Sequence, residues 1–316
     1  MQAWRLNGSG VATLQRVDEA PAQPGRGEVR IKVHAAALNY RDLGVAAGQY
    51  PSCPGLIPLS DGAGVIDAVG ENVSDFAVGD AVVSCFYENW QAGRASGANH
   101  RLSLGCERNG VLAEQIVLPV SAIVPKPSSL SFREAATLPC AALTAWSALF
   151  SEGRLEPGQQ VLVQGTGGVA MFALQFAKLA GAGVTVLSGS DEKLRRAAAL
   201  GADHGINYRS NPQWSNAVME LTGGVGVDLV VELGGADTLA QSLKCIRHDG
   251  MIAVIGVLSG LESRIFLLDI LFRHSRLHGV TVGHRDDFLA MNRAIDTHGL
   301  KPVINSHYGF DDARDA

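Results

Sequence analysis

The sequence predicts an α/β protein, a small β-rich domain followed by a doubly wound parallel sheet. Three observations carry that expectation. Before about residue 124, short runs of alternating apolar and polar residues are punctuated by glycine and proline turns. From Ser131 onward, apolar strands alternate with helical runs, the grammar of a parallel sheet with helices on both faces. Glycine is also over-represented, at 37 of 316 residues against roughly 7 % in ordinary proteins, with no Gly-X-Y period or low-complexity tract to absorb it. The length fits two domains of about 150 residues each.

Val29–Leu38 reads Val-Arg-Ile-Lys-Val-His-Ala-Ala-Ala-Leu, the period-two alternation of a half-buried strand. Further β-rich stretches follow at Gly62–Val69 and Asp80–Phe86, with turn signals at Pro51, Pro54-Gly55, Gly70-Glu71-Asn72 and Val78-Gly79-Asp80. Tyr87–Gly110 is polar, dotted with glycine and aperiodic. Such a long loop is usually functional or mobile, and this one is expected to move, with Trp90 as its one large apolar anchor. Ser131-Phe-Arg-Glu134 fits a capping box ahead of the apolar run Ala135–Phe150. Val161–Gln164 then reads as a strand, Val169–Ala180 as a helix ended by Gly181, Val184–Leu187 as a strand, and Glu192–Leu200 as a helix ended by Gly201. Val227–Leu233 and Met251–Ile255 are buried strands flanking a helical stretch at Thr238–Ile246. Beyond Gly260 come a helix near Phe266–Arg273, a strand near Leu277–Val282 and a helix near Phe288–Thr297. There is no internal repeat.

Composition narrows the function classes. Hydrophobic residues make up 47 % of the chain and charged residues 18 %, enough for a sizeable core and too apolar for disorder. Twenty-six basic against 31 acidic residues give a net charge of −5, without the electrostatic footprint of a nucleic-acid binder. Cys53, Cys85, Cys106, Cys140 and Cys245 are widely spaced with no Cys-x-x-Cys pair, neither a disulfide framework nor a zinc ribbon. The first residues lack a basic region followed by an apolar stretch, so no signal peptide is expected. Ile265–Phe272 is apolar but carries Asp269 and is too short to span a bilayer. These features point to a cytoplasmic protein with no membrane and no nucleic-acid partner.

The strongest motif is Gly165-Thr166-Gly167-Gly168-Val169-Ala170, which follows an apolar strand and opens an apolar helix. It fits Gly-x-Gly-x-x-Gly/Ala in the context that makes the pattern specific. The first glycine permits a tight turn, the second lets backbone approach a pyrophosphate, and Ala170 allows close helix–strand packing. The helix start then offers free N–H groups and a positive dipole end to the phosphates. The next strand ends in Ser188, followed by Gly189-Ser190-Asp191-Glu192-Lys193. A NAD site usually carries an acidic residue there. Ser188 instead leaves room for a 2′-phosphate and Lys193 supplies a cation, which favours NADPH. Asp191 falls slightly late for the NAD role, and Ser190 as N-cap with Asp191 and Glu192 in the first turn gives it a structural one.

His274 and His278 have i, i+4 spacing, but Leu277-His-Gly-Val-Thr-Val reads as a strand, so the pair straddles a helix end. No Gly-x-Ser-x-Gly elbow supports a hydrolase.

Leu38-Asn-Tyr-Arg-Asp42, Asp61-Gly-Ala-Gly-Val65, Ala136-Thr-Leu-Pro-Cys-Ala141, the glycine turn, and Leu200-Gly-Ala-Asp-His-Gly-Ile-Asn-Tyr208 together resemble the medium-chain dehydrogenase/reductase superfamily. The nearest branch is the zinc-independent quinone oxidoreductases, the zeta-crystallin-like group, and the similarity runs over nearly the whole chain. The resemblance implies a GroES-like catalytic domain over residues 1–124 and 262–316 and a Rossmann domain over residues 125–261. Members continue past the equivalent of Phe310–Ala316, so the catalytic domain is expected to be C-terminally incomplete. Zinc-dependent relatives have Cys where this chain has Asn39, His where it has Ser60, and usually Glu where it has Asp61. Cys140 matches a third ligand in some. The lobe that holds structural zinc in them corresponds to Tyr87–Gly110, which has only Cys106. Neither zinc site is expected, and Cys140 is read as a buried small hydrophobe.

The resemblance further implies a proton donor at Tyr50 and a stretch beside the nicotinamide at Asn39, Tyr40 and Asp42. Asn39 would donate to a substrate carbonyl, while Asp42 could equally hold local structure. Thr144, Leu233, Gly234, Ile255 and Gly256 would lie against the nicotinamide, and Tyr208 beside the 2′-phosphate. The implied activity is NADPH-dependent hydride delivery to a quinone or α,β-unsaturated carbonyl by a homodimer. A metal-free NADP-dependent alcohol or carbonyl dehydrogenase and a low-turnover NADPH-binding protein are the alternatives.

Overall fold

Alternating apolar residues build the first of two units into which a computed structural model, describing residues 1–316, divides the chain: Met1–Leu143 with His284–Ala316, and Thr144–Gly283. In the first, β1 (Gln2–Leu6) and β2 (Leu14–Asp18) form an antiparallel pair. β3 (Glu28–Ala37) leads through α1 (Tyr40–Ala46) to β4 (Asp61–Val69), β5 (Ala81–Ser84), β6 (Gln115–Pro119) and β7 (Ile123–Pro125). These five strands make an antiparallel sheet in the order β6-β3-β4-β5-β7. Val29 and Ile31 enter a core with Ile66, Val82, Leu118 and Ile123, while Lys32 stays exposed, as the alternation requires.

The capping box forms at α2 (Phe132–Ala135): Ser131 Oγ accepts from Glu134 N, and Glu134 Oε2 accepts from Ser131 N. The apolar run beyond it is not one regular helix. Wide π turns at Leu138–Ala142 and Ser147–Ser151 flank α3 (Leu143–Trp146). Pro139 has no N–H to give the ladder, and Cys140 N turns out of it to donate to Asp61 Oδ2 at 2.9 Å.

The second unit alternates β8 (Gln160–Gln164), α4 (Gly168–Leu179), β9 (Gly183–Ser188), α5 (Asp191–Ala199), β10 (His204–Asn207), α6 (Trp214–Leu221), β11 (Val227–Glu232), α7 (Leu239–Cys245), β12 (Ile246–Val254), α8 (Leu267–Arg273) and β13 (Arg276–Gly279). All six strands are parallel, in the order β10-β9-β8-β11-β12-β13. Val161–Val163 and Leu229–Val231 are buried on both faces, as strands covered by helices must be. The order reverses between β8 and β11, so the carboxyl ends of these two strands mark the switch point where such sheets bind ligands. The chain then returns to the first unit through α9 (Arg285–His298), which buries Phe288, Met291 and Ile295 and whose Asn292 Nδ2 donates to Pro125 O.

Both expected domain boundaries move. Residues 125–143 stay with the first unit because β7 pairs with β5 and α2 packs on β3 and β4. Residues 262–283 stay with the second because β13 extends its sheet beside β12. The Tyr87–Gly110 segment is held more firmly than its text implies. Trp90 is buried among Tyr87, His100 and His284, and Arg285 N and Asp286 N donate to the carbonyls of Trp90 and Gln91. Leu104 and Cys106 are buried as well, so Trp90 is not its only anchor. No helix is long and apolar enough to cross a membrane.

Candidate functional site

The glycine turn joins β8 to α4 as its sequence requires. Gly165 sits at φ +80°, the left-handed region that favours glycine, and its N–H donates to Leu187 O at 2.7 Å. Gly167 is the N-cap of α4 in extended backbone, and no side chain caps the helix. A Cβ placed on Gly165 or Gly167 would meet no protein atom within 4 Å. Gly167 is therefore not demanded by packing within the chain. It leaves an open cradle, floored by exposed backbone at Gly167 and Gly168, at a helix N-terminus. That cradle fits the pyrophosphate of a dinucleotide. Thr166 and Val169 flank it half-buried, and Ala170 is fully buried beneath.

At the end of β9, Ser188 is buried and its Oγ accepts from Ser190 N. Ser190 caps α5 by accepting from Lys193 N, and Asp191 Oδ1 accepts from Asn207 Nδ2 at 2.7 Å. Lys193 stands exposed on the first turn of α5. Tyr208 N donates to Ser188 O. A Cβ on Gly189 would lie 2.7 Å from the Tyr208 hydroxyl and 2.9 Å from Arg209 Nε. A phenol and a guanidinium thus converge where β9 ends. Arg209 was not legible in the text, because it follows a short strand that no period announces.

Leu233 and Gly234 leave β11, and Ile255 and Gly256 leave β12, at adjacent points: Ile255 N and Gly256 N both donate to Glu232 O. The approach is close enough that a Cβ on Gly256 would fall 2.2 Å from Leu233 O. Thr144 is buried in α3. Beneath the loop lies a group that the sequence reading missed, the fully buried Glu232 with Gln164, Thr238 and Ser242.

In the first unit, Tyr40 and Tyr50 are 72 % and 46 % exposed. The Tyr50 ring lies over α1, its Cε2 2.7 Å from where a Cβ on Gly44 would be. Asp42 is buried and turned into its own helix. Its Oδ2 accepts from Asn39 N at 2.8 Å, and burial pushes its pKa up to about 6 against the pull of Asn39 N–H and Arg41. Asn39 Nδ2 is buried on the side of Asp61. Asp61 itself is fully buried; Ser60 Oγ donates to its Oδ1 at 2.5 Å and Cys140 N to its Oδ2. Burial pushes its pKa up to about 7, opposed mainly by those two hydrogen bonds.

This donor set does not fit catalytic zinc, which takes thiolate, imidazole or carboxylate ligands. Asn39 and Ser60 bring an amide and a hydroxyl, and both Asp61 oxygens are engaged. Cys140 is partly rather than fully buried, and its thiol is raised well above the usual range by desolvation and by Asp61. No three His, Cys, Asp or Glu side chains gather anywhere as a metal site. The helix α8 ends at His274, and His278 lies on β13, its Nε2 3.1 Å from Glu152 Oε2.

Comparison with known proteins agrees with the fold. The family described as "Alcohol dehydrogenase GroES-like domain" matches residues 25–128, and "Zinc-binding dehydrogenase" matches residues 168–297. A zinc-type alcohol dehydrogenase-like protein of Schizosaccharomyces pombe is 45 % identical over 94 % of this chain and 88 % of its own length. The quinone oxidoreductase of Rattus norvegicus is 29 % identical over 100 % and 92 %. Among solved structures, a Sinorhizobium meliloti protein assigned to the alcohol dehydrogenases superposes with a TM-score of 0.94 at 42 % identity, covering 99 % of this chain and 93 % of its own. A NAD-dependent alcohol dehydrogenase superposes with a TM-score of 0.87 at 37 % identity, covering 96 % and 91 %.

Proposed function

The chain belongs to the medium-chain dehydrogenase/reductase superfamily, and within it we propose an NADPH-dependent, zinc-independent oxidoreductase that reduces a quinone or an α,β-unsaturated carbonyl. The observation that carries this reading is the set Asn39, Ser60, Asp61 and Cys140 at the positions matched to zinc ligands, in which Ser60 Oγ and Cys140 N are both tied to the Asp61 carboxyl. Direct carbonyl reduction profits most from a Lewis acid. A conjugated acceptor, whose charge spreads over several atoms, depends on one less. The bound dihydronicotinamide supplies the hydride. The chain's own part is to bind and orient: the Gly165–Val169 turn holds the pyrophosphate, and Ser188, Tyr208, Arg209 and Lys193 hold a 2′-phosphate. Tyr50 Oη, exposed just past the end of α1, donates a proton or hydrogen bond to the acceptor once charge develops there.

The test is an acceptor panel of quinones, enones, ketones and alcohols, run with NADPH and NADH before and after exhaustive chelation. NADPH-dependent quinone or enone reduction that survives chelation is expected. Alcohol oxidation with NAD that chelation abolishes would overturn the proposal. A metal-free alcohol dehydrogenase is the second reading; two relatives above 40 % identity carry alcohol dehydrogenase names, one of them zinc-type.

The same reading includes a homodimer. Every residue of the edge strand β13 is exposed, and α8 beside it presents Leu267, Leu271 and Phe272, with Phe266 just before it, to the surface. An open parallel edge flanked by large apolar side chains invites pairing, and a second copy closes it by two-fold symmetry.

A further inference from the structure

Glu232 ends β11 at the switch point, with no surface exposed. Its carboxylate receives five hydrogen bonds, all from neutral donors. Gln164 Nε2 at 2.7 Å and Ser242 Oγ at 2.5 Å reach Oε2; Thr238 Oγ1 at 2.5 Å, Gly234 N at 3.1 Å and Gly235 N at 3.0 Å reach Oε1. Gln164, the last residue before the glycine turn, completes the arrangement: its Oε1 accepts from Leu233 N at 3.2 Å and Gly234 N at 3.1 Å. A carboxylate buried without a cation is expensive unless fully hydrogen-bonded. Here the five donors meet that condition and tie Glu232 to the loop that follows β11.

The consequence is visible in the backbone. Two side-chain acceptors draw the Gly234 N–H inward. Because a trans peptide sets N–H and C=O on opposite sides, the Leu233 carbonyl of that peptide points away from the network. The neighbouring carbonyls are taken, Glu232 O by Ile255 N and Gly256 N, and Gly234 O by Ser259. Leu233 O receives no donor from the chain and lies against the side-chain-free Gly256.

We propose that Glu232, acting with Gln164, is a positioning residue. It fixes the Leu233–Gly234 peptide so that the Leu233 carbonyl stands ready to accept a hydrogen bond from the carboxamide N–H of the cofactor's nicotinamide half. The inference rests on the proposed use of a nicotinamide dinucleotide but not on the acceptor reduced.

The experiment measures binding, by calorimetry, of three probes: NADPH, its 3-acetylpyridine analogue, which lacks the amide N–H, and ADP-ribose 2′-phosphate, which lacks the ring. Wild type is expected to favour NADPH over the analogue. In Glu232→Gln a buried amide faces backbone donors it cannot all accept. NADPH is then expected to weaken by about 10-fold or more, to the affinity of the analogue, while ADP-ribose 2′-phosphate stays within about 2-fold. The swapped pair Gln164→Glu/Glu232→Gln restores one carboxylate and one amide across the same gap. It is expected to recover both NADPH affinity and the preference over the analogue. If the single variant does not fold, the swapped pair decides alone. Equal weakening of all three probes, no weakening, or a folded swapped pair without the preference would overturn the positioning role. Wild type that binds neither NADPH nor NADH would instead overturn the function it rests on.

Discussion

Gly167→Asp separates the function of the glycine turn from its contribution to the fold, because the two effects have opposite signs. The residue is the N-cap of α4, at φ −81° and ψ −174°, backbone that any L-residue adopts, and a side chain there meets nothing within 4 Å. Aspartate is among the best N-caps, and its charge suits the positive end of the helix dipole. Removing a glycine also trims the entropy of the unfolded chain. Together these stabilise the apo protein by roughly 1 kcal/mol, or about 2–4 °C in Tm. The same carboxylate stands where a pyrophosphate would sit. Two unit charges about 4 Å apart near a protein surface repel by about 4 kcal/mol, so dinucleotide affinity is expected to fall by about 10²–10³-fold after screening. Gly165→Ala is the contrast. At φ +80° a Cβ costs about 1–2 kcal/mol, and Tm falls. Differential scanning calorimetry and NADPH titration of both variants check the pair. Gly167→Asp with a higher Tm and unchanged NADPH affinity would show that the turn is only a turn. A lower Tm would refute the capping argument itself.

At the end of β9, Arg209→Ala is expected to weaken NADPH by about 1–2 kcal/mol and leave NADH nearly unchanged, one lost charge-assisted contact. Lys193→Ala should act in the same direction, and equal losses for both cofactors would make these residues structural. Asp61 holds its proton to about pH 7 in the native state, whereas an unfolded carboxyl releases it near pH 4. Native stability therefore declines as pH rises between those values, by on the order of 4 kcal/mol at most. Asp42, raised to about 6, acts in the same sense. Urea melts at pH 5 and pH 8 should show this decline shrinking in Asp61→Asn; an unchanged difference would remove Asp61 as its source. Leu271→Asp combined with Phe272→Asp should convert a dimer to a monomer in sedimentation velocity, and no change would place any dimer contact elsewhere.

What the sequence disclosed follows from what each kind of residue must do. Strands buried on both faces spell out their burial, so Val161–Gln164, Val184–Leu187 and Val227–Leu233 were legible to within a residue or two. The glycine turn was legible because a left-handed backbone and an open cradle both select against side chains. β13 hid its membership of the parallel sheet because it lies exposed at the edge and carries no apolar run. The domain boundary was misplaced by about twenty residues as a result. The buried acids are the deeper case. Asp61 and Glu232 each sit at a strand end, where an acidic residue ordinarily means a solvated turn, and nothing local says that either is enclosed. Their meaning depends on partners brought in by topology: Cys140 from a π turn for one, Gln164 from the adjacent parallel strand for the other. Hydrophobic period reports burial of the apolar residues that produce it. A polar group buried among them leaves no period, only an interruption, and the fold alone shows whether that interruption meets water or a ring of donors.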